Sequence, residues 1–331
     1  MSSVVTKAIF LLSLLALPLG LPEKSYAVHA CDPNDLLRKV VTNQGRRPDY
    51  PQGFTRERSL LEYLESFPPE LGSRINRLNG SGLILEAGAG EAIAAEQLLQ
   101  TELEGLLRNR ADELLKHGLQ MNHLKDPSPD LLKLSAKPLK DRPSVIALTK
   151  ELDREIRLEP YRGKLKLITG KFLEEVPNST LGRPDLILDS IGVMSYTAEP
   201  SKVLRKYLEI LKPDGDIYLF LDRSTRVEGE RTWSAANRAR AQIRLKDESI
   251  LDLFNWLKSL DGQGLEVREL ENSRRIFFKE SGRFTYHDQR FHTIRIRKTG
   301  GKIEIPELQL TQVLAEDNPP RRFFRVVSPK K

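Results

Sequence analysis

Two glycines one residue apart, Gly88 and Gly90, follow a short apolar run and an acidic residue in Gly82-Leu-Ile-Leu-Glu-Ala-Gly-Ala-Gly-Glu-Ala92. Leu83, Ile84 and Leu85 are too few for the core stripe of a helix and suit a strand buried on both faces. The glycines permit a sharp turn and leave no Cβ in the way of a ligand. Helical spacing follows in Ile93-Ala-Ala-Glu-Gln-Leu-Leu99, so the turn is expected at a helix amino end with backbone amides free to donate. Such a turn suits a nucleotide-like ligand; the alternative is plain strand-to-helix geometry with no ligand.

A second landmark favours the ligand. Arg183-Pro-Asp-Leu-Ile-Leu-Asp-Ser190 reads as another apolar strand ending at Asp189, and Ser201 to Leu211 repeats Leu and Val at helical spacing. Lys212-Pro-Asp-Gly-Asp216 breaks that helix, and Ile217-Tyr-Leu-Phe-Leu-Asp222 resumes as a strand. Between the landmarks, Ser144-Val-Ile-Ala-Leu-Thr149 and Lys164-Leu-Lys-Leu-Ile-Thr-Gly170 are the second and third strands.

This order of strand, acidic glycine loop, helix, Leu-Lys-Pro-x-Gly turn and strand resembles the class I S-adenosylmethionine-dependent methyltransferases, over about residues 56 to 270. The resemblance implies an α/β fold: a Rossmann-like, seven-stranded, mostly parallel sheet with helices on both faces and an antiparallel last strand. It implies S-adenosylmethionine as cofactor, its methionine part wrapped by Glu86, Ala87, Gly88, Ala89 and Gly90, and a cleft completed by Glu151, Phe172, Asp189 and Ser190. An acid after the second strand holds the ribose hydroxyls in that family, because a carboxylate accepts both hydrogen bonds; here Thr149-Lys-Glu151 makes Glu151 the substitute. After the third strand the family's adenine-binding Asp is replaced by Lys171, which has no acceptor to offer, and Phe172 is either a stacking surface for adenine or ordinary core.

Asp189-Ser-Ile-Gly192 stands where the acceptor-side loop begins and lacks the Asn/Asp-Pro-Pro-aromatic signature for a planar nitrogen. Methyl transfer from a sulfonium relies on orientation and needs no obligatory nucleophile. Tyr196 is the candidate to contact the acceptor or take its proton, against a bland surface role. Asp189 orients the cofactor or acceptor, or caps the following turn. A dinucleotide dehydrogenase would need a third glycine at position 93, where Ile93 stands.

The amino terminus points elsewhere. Lys7 precedes the apolar block Ala8 to Leu21, of signal-peptide length and short for a membrane span, followed by the small-x-small sites Ser25-Tyr-Ala27 and Val28-His-Ala30. This predicts a bacterial exported or membrane-tethered protein; the alternative is a cytoplasmic chain with a start further downstream. Cys31, the single cysteine, has no internal disulfide partner, and lipidation there is disfavoured by His29. S-adenosylmethionine is made in the cytosol, so leader and cofactor conflict. A methyltransferase-like protein without catalysis, exported as a binding or scaffold protein, is the second hypothesis.

The 331 residues, 39% hydrophobic and 30% charged, suit one large α/β domain with additions. We divide the chain into a leader (1–30), a helical preface (31–80), a methyltransferase-like domain (81–300) with insertions near 103–143 and 223–246, and a basic carboxyl-terminal extension (301–331). The second insertion sets Arg223, Arg226, Arg231, Arg238, Arg240 and Arg244 around Trp233: either a lid for carboxylate or phosphate, or a solvated helix balanced by Glu228, Glu230 and Asp247. Glu248 to Leu260 reads as helix, and Leu265–Leu270 and Phe291–Arg297 as the last two strands. His287 and His292 lack a clear third ligand and are not expected to hold a metal. The formal net charge of +7 sets 53 bases against 46 acids without a nucleic-acid module, so the expected partner is a small or acidic acceptor and not a specific polynucleotide. Beyond the leader no apolar run is long enough to span a membrane.

Overall fold

The computed structural model describes residues 26–27, 60, 70–100, 133, 136–149, 152, 155–190, 192–221, 241–280, 283–314 and 321–327; at 26–27 and 271–292 the description is of the backbone. In chain order these form β1 (Tyr26–Ala27), α1 (Glu70–Arg77), β2 (Leu83–Ala87), α2 (Ile93–Leu99), β3 (Ser144–Thr149), β4 (Leu165–Thr169), α3 (Asn178–Leu181) and β5 (Leu186–Ser190). There follow α4 (Val193–Tyr196), α5 (Pro200–Ile210), β6 (Asp216–Phe220), β7 (Ala241–Arg244), β8 (Ile250–Asp252), α6 (Leu253–Lys258), β9 (Leu265–Glu280), β10 (Arg283–Lys298), β11 (Glu307–Leu314) and β12 (Arg321–Val327).

Seven strands make one sheet in the order β4-β3-β2-β5-β6-β10-β9. The first five are mutually parallel, while β10 lies antiparallel to both β6 and β9. This is the expected mostly parallel, Rossmann-like sheet with its last strand antiparallel. Alternation along the strands supplies two cores. Ile84, Val145, Leu186, Leu188 and Tyr218 pack with Leu71 and Ile75 of α1 and Leu98 of α2 on one face. Leu85, Ile146, Ile187, Ile217 and Leu219 pack with Leu204 and Tyr207 of α5 and Trp256 of α6 on the other. Strands buried on both faces must read as continuous apolar runs, and Leu83–Leu85 and Leu186–Leu188 do.

A second sheet, β1-β11-β12-β7-β8, was not legible in the sequence. Its Ile243, Leu308, Leu310, Val313 and Phe324 join the same core as α5 and α6. It draws two strands from the basic carboxyl-terminal stretch, and β7 pairs parallel with β12 across a long separation. Ser201 of α5 donates to the Pro306 carbonyl at 2.7 Å, and Arg205 donates to the Ile305 carbonyl at 3.1 Å and pairs with Glu307.

The helix expected from Glu248 is shorter. Ile250–Asp252 pairs with β7, and α6 begins only at Leu253, because the Asp252 carboxylate accepts from the Asn255 amide at 2.6 Å and sets the first turn. Among the described residues no helix is long and apolar enough to cross a membrane. Replacing Asp252 by Ala removes the cap, and urea unfolding should show a loss of about 0.5–2 kcal/mol with the m-value unchanged.

Candidate functional site

The parallel strands β2 to β6 end on one edge of the sheet, and their order reverses between β2 and β5: β3 and β4 lie to one side of β2, β5 and β6 to the other. The loops that leave β2 and β5 therefore diverge over this point, where ligands of open α/β sheets are held. The two loops touch. Gly88 has a left-handed backbone (φ 72), and a Cβ on it would lie 2.5 Å from Gly192 Cα; a Cβ on Gly192 would lie 2.3 Å from the Ala87 carbonyl oxygen and 2.6 Å from Asp189 Oδ1. Neither position admits any other residue without backbone movement. The Ala89 amide donates to the Leu148 carbonyl at 2.8 Å, tying the glycine loop to β3 as well.

Within the loop, Glu86, Ala87 and Ala89 are buried, while Gly88 and Gly90 are partly exposed, so the backbone at the two glycines is what the loop presents outward. Ala92 keeps a left-handed backbone (φ 55) where the chain enters α2. The acid at the end of β5 is not available to a ligand. Asp189 is 0% exposed; Oδ1 accepts from the Gly192 amide at 2.9 Å, and Oδ2 accepts from the Met194 amide at 2.8 Å and the Tyr207 hydroxyl at 2.8 Å. Of its two expected roles, the structure gives it the capping one, at the amino end of α4. Ser190 beside it is buried.

Tyr196 is half-buried at the carboxyl end of α4, whose four residues span the gap between the β5 loop and α5. That helix is held at its other end by a residue sequence reasoning did not find. Arg322 of β12 is 1% exposed and donates Nη1 to the carbonyls of Met194, at 3.3 Å, and Thr197. Its Nε is buried without a hydrogen-bond partner among the described residues, and its guanidinium lies 5.7 Å from the Phe324 ring centre. Burial pulls its pKa down to about 9, so it keeps its charge at neutral pH. A third tie comes from Glu174, which accepts from the Thr197 hydroxyl at 2.6 Å while that oxygen accepts from the Glu199 amide at 2.9 Å.

After β4, Lys171 is exposed and Phe172 is half-buried. Glu151 and residues 222–240 of the arginine-rich insertion lie outside the described residues, as do the leader residues 1–25 and Cys31; Arg244 is exposed in β7 and pairs with Glu248 at 2.8 Å. Sequence reasoning missed Gly192 as a packing partner, although Asp-x-x-Gly after a strand carried the signal. For Arg322 no local signal exists. Replacing Gly192 by Ala should cost about 1–3 kcal/mol in thermal or urea unfolding, because the added methyl meets backbone on two sides, whereas Tyr207→Phe should cost only about 1 kcal/mol.

No family model matches the chain, and no curated protein matches it. Solved structures do. A precorrin-6y C5,15-methyltransferase from Geobacter metallireducens is 14% identical, with 70% of this chain and 87% of that one covered at a TM-score of 0.36. A precorrin 8W decarboxylase from Methanobacterium thermoautotrophicum is 11% identical, covering 70% and 91% at 0.33. A glycopeptide N-methyltransferase complexed with sinefungin is 13% identical, covering 80% and 97% at 0.32. Scores at this level assign no activity to this chain, whose Rossmann-like fold is established by its own strand order and register.

Proposed function

We propose that this chain binds S-adenosylmethionine over the carboxyl edge of its parallel strands and transfers the methyl group to a small or acidic acceptor. The observation that carries this is the junction of Gly88 with Gly192 at the point where the strand order reverses, which leaves the partly exposed backbone of Gly88 and Gly90 facing out of the sheet. The residues fit the cofactor in kind: within Glu86 to Gly90, a left-handed backbone without side chains at Gly88 and Gly90 for its methionine part, and the half-buried Phe172 ring for its planar base. Lys171 offers no acceptor to the adenine amino group, so base recognition here rests on stacking and backbone.

The cofactor supplies an electrophilic methyl on a sulfonium: the acceptor's lone pair forms the new bond to carbon as the carbon–sulfur bond breaks and its electron pair stays on sulfur. The protein's part is orientation. Asp189 pins the loop from Gly192 to Met194 and Arg322 pins the far end of α4; we assign the hydroxyl of Tyr196, which α4 carries, to acceptor contact or proton removal. The pairing of Tyr26 and Ala27 with Val313 and Gln312 of β11 favours a chain that retains these residues, since cleavage after Ala27 or Ala30 would delete β1. We further propose residence in the cytosol, where the cofactor is made.

Calorimetric titration with S-adenosylmethionine should show micromolar binding that is abolished in Gly88→Arg and preserved in Tyr196→Phe. Absence of heat up to millimolar cofactor in the folded wild-type protein would overturn the reading.

A further inference from the structure

Arg322 carries a charge without an ordinary counterion. Its side chain is 1% exposed, and a guanidinium taken out of water is usually paired with an anion. Among the described residues no carboxylate lies within hydrogen-bond distance of it: Nη1 donates to the carbonyls of Met194 and Thr197, and Nε is buried without a partner. The acids around α4 are engaged elsewhere. Asp189 accepts from the Gly192 and Met194 amides and the Tyr207 hydroxyl. Glu174 accepts from the Thr197 hydroxyl and has the Lys206 charge near it, and Glu199 pairs with Lys202 at 3.3 Å.

The two carbonyls that Arg322 holds bracket Tyr196 in the chain, so the guanidinium lies against the end of α4 that carries this tyrosine. Burial works against the Arg322 charge, and the groups that favour it are Tyr196 and then Asp189. Such an interaction is reciprocal: a cation favoured by an ionised tyrosine favours that ionisation to the same extent. Asp189 already has three donors to its carboxylate, which leaves Tyr196 as the group on which the charge of Arg322 acts. In a water-poor interior that charge is weakly screened.

We propose that Arg322 is a positioning residue for proton removal: from β12 it fixes the α4 backbone on either side of Tyr196 and, as the buried cation beside it, favours release of the Tyr196 hydroxyl proton. Of the two roles assigned to Tyr196, contact and proton removal, this selects the second. The ionised oxygen takes the proton of an acceptor hydroxyl while the acceptor's lone pair forms the bond to the methyl carbon. The carbon–sulfur pair stays on sulfur, the sulfonium becomes a neutral thioether, and the phenol returns its proton to water. A carboxylate acceptor needs no base, so the acceptor class is a hydroxyl that must lose a proton. What the proton loss serves rests on the methyl-transfer reading, but the ionisation belongs to the ligand-free chain. Failure to bind S-adenosylmethionine would therefore sink that reading alone.

The test is a pH titration of the full chain by carbon-13 magnetic resonance, with tyrosine labelled at Cζ and the Tyr196 signal identified by its loss in Tyr196→Phe. The wild-type midpoint should fall below the ordinary tyrosine value of about 10. Arg322→Gln keeps a donor for the carbonyls and loses the charge, and should weaken the Tyr196 ionisation at least about tenfold; Arg322→Lys keeps the charge and should stay within about threefold of wild type. A merely structural role would disturb both variants alike. Far-ultraviolet circular dichroism identifies a variant that fails to fold, and the wild-type midpoint then decides by itself. A midpoint at or above about 10, an ionisation unchanged in folded Arg322→Gln, or an equal weakening in both variants would each overturn the proposal.

Discussion

A four-residue helix is nearly all ends, and α4 exists because both ends are closed by buried charge. Asp189 takes the amides of Gly192 and Met194 at one end, and Arg322 takes the carbonyls of Met194 and Thr197 at the other. The signs suit the helix dipole, anion at the amino end and cation at the carboxyl end. Neither charge reaches solvent, so each is tolerable only while the other and the peptide groups between them stay in place. The clamp also joins the two sheets, since Asp189 ends β5 and Arg322 belongs to β12. The position of Tyr196, and of Gly192 against Gly88, follows from it.

The amino edge of the large sheet is closed by paired charges. At the amino edge Asp216 is fully buried between Arg297, 2.7 Å away, and Arg74, 2.9 Å away. Asp185 accepts from the Leu83 amide at 2.8 Å and pairs with Lys212 at 2.8 Å, joining the start of β2 to the turn before β6. Near that edge Glu70 accepts from Tyr218 at 3.0 Å and pairs with Arg295; burial, and then the Glu70 charge, push the Tyr218 hydroxyl pKa well up, so it stays a donor. At the carboxyl edge the loops after β2 and β5 meet at Gly88 and Gly192.

Much of the basic surplus is structural. Arg142 is fully buried and donates to the carbonyls of Leu98 and Gln100, closing the carboxyl end of α2; Lys298 donates to Leu208 at 3.0 Å and Leu211 at 2.7 Å, closing α5. Lys164 donates to Gly80 at 2.6 Å and Arg142 at 2.9 Å. Cations on helix-terminal carbonyls meet both the unfilled hydrogen bonds and the dipole. Burial pushes the pKa values of Arg142 and Lys298 down. A net charge read from composition therefore says little about partners until these internal uses are subtracted.

Leu83–Leu85, Ser144–Thr149 and Leu186–Leu188 were legible as strands because burial on two faces demands an uninterrupted apolar run, and Gly88, Gly90 and the Lys212–Asp216 turn were legible because their chemistry is local. Asp252 was not seen as a helix start, since the helical spacing of the residues before it masked the cap. The alternation after Leu270 is broken by adjacent charges and paired aromatics, so β9 and β10 were read at less than half their length. The sequence by itself determined the alternating strands and helices of the large sheet and the glycine turn at its carboxyl edge, because those follow from spacing within a few residues. Only the tertiary structure decided that Gly192 closes on Gly88, that Asp189 faces inward, and that Arg322 reaches α4 from a second sheet, because each depends on backbones and charges brought together from distant parts of the chain.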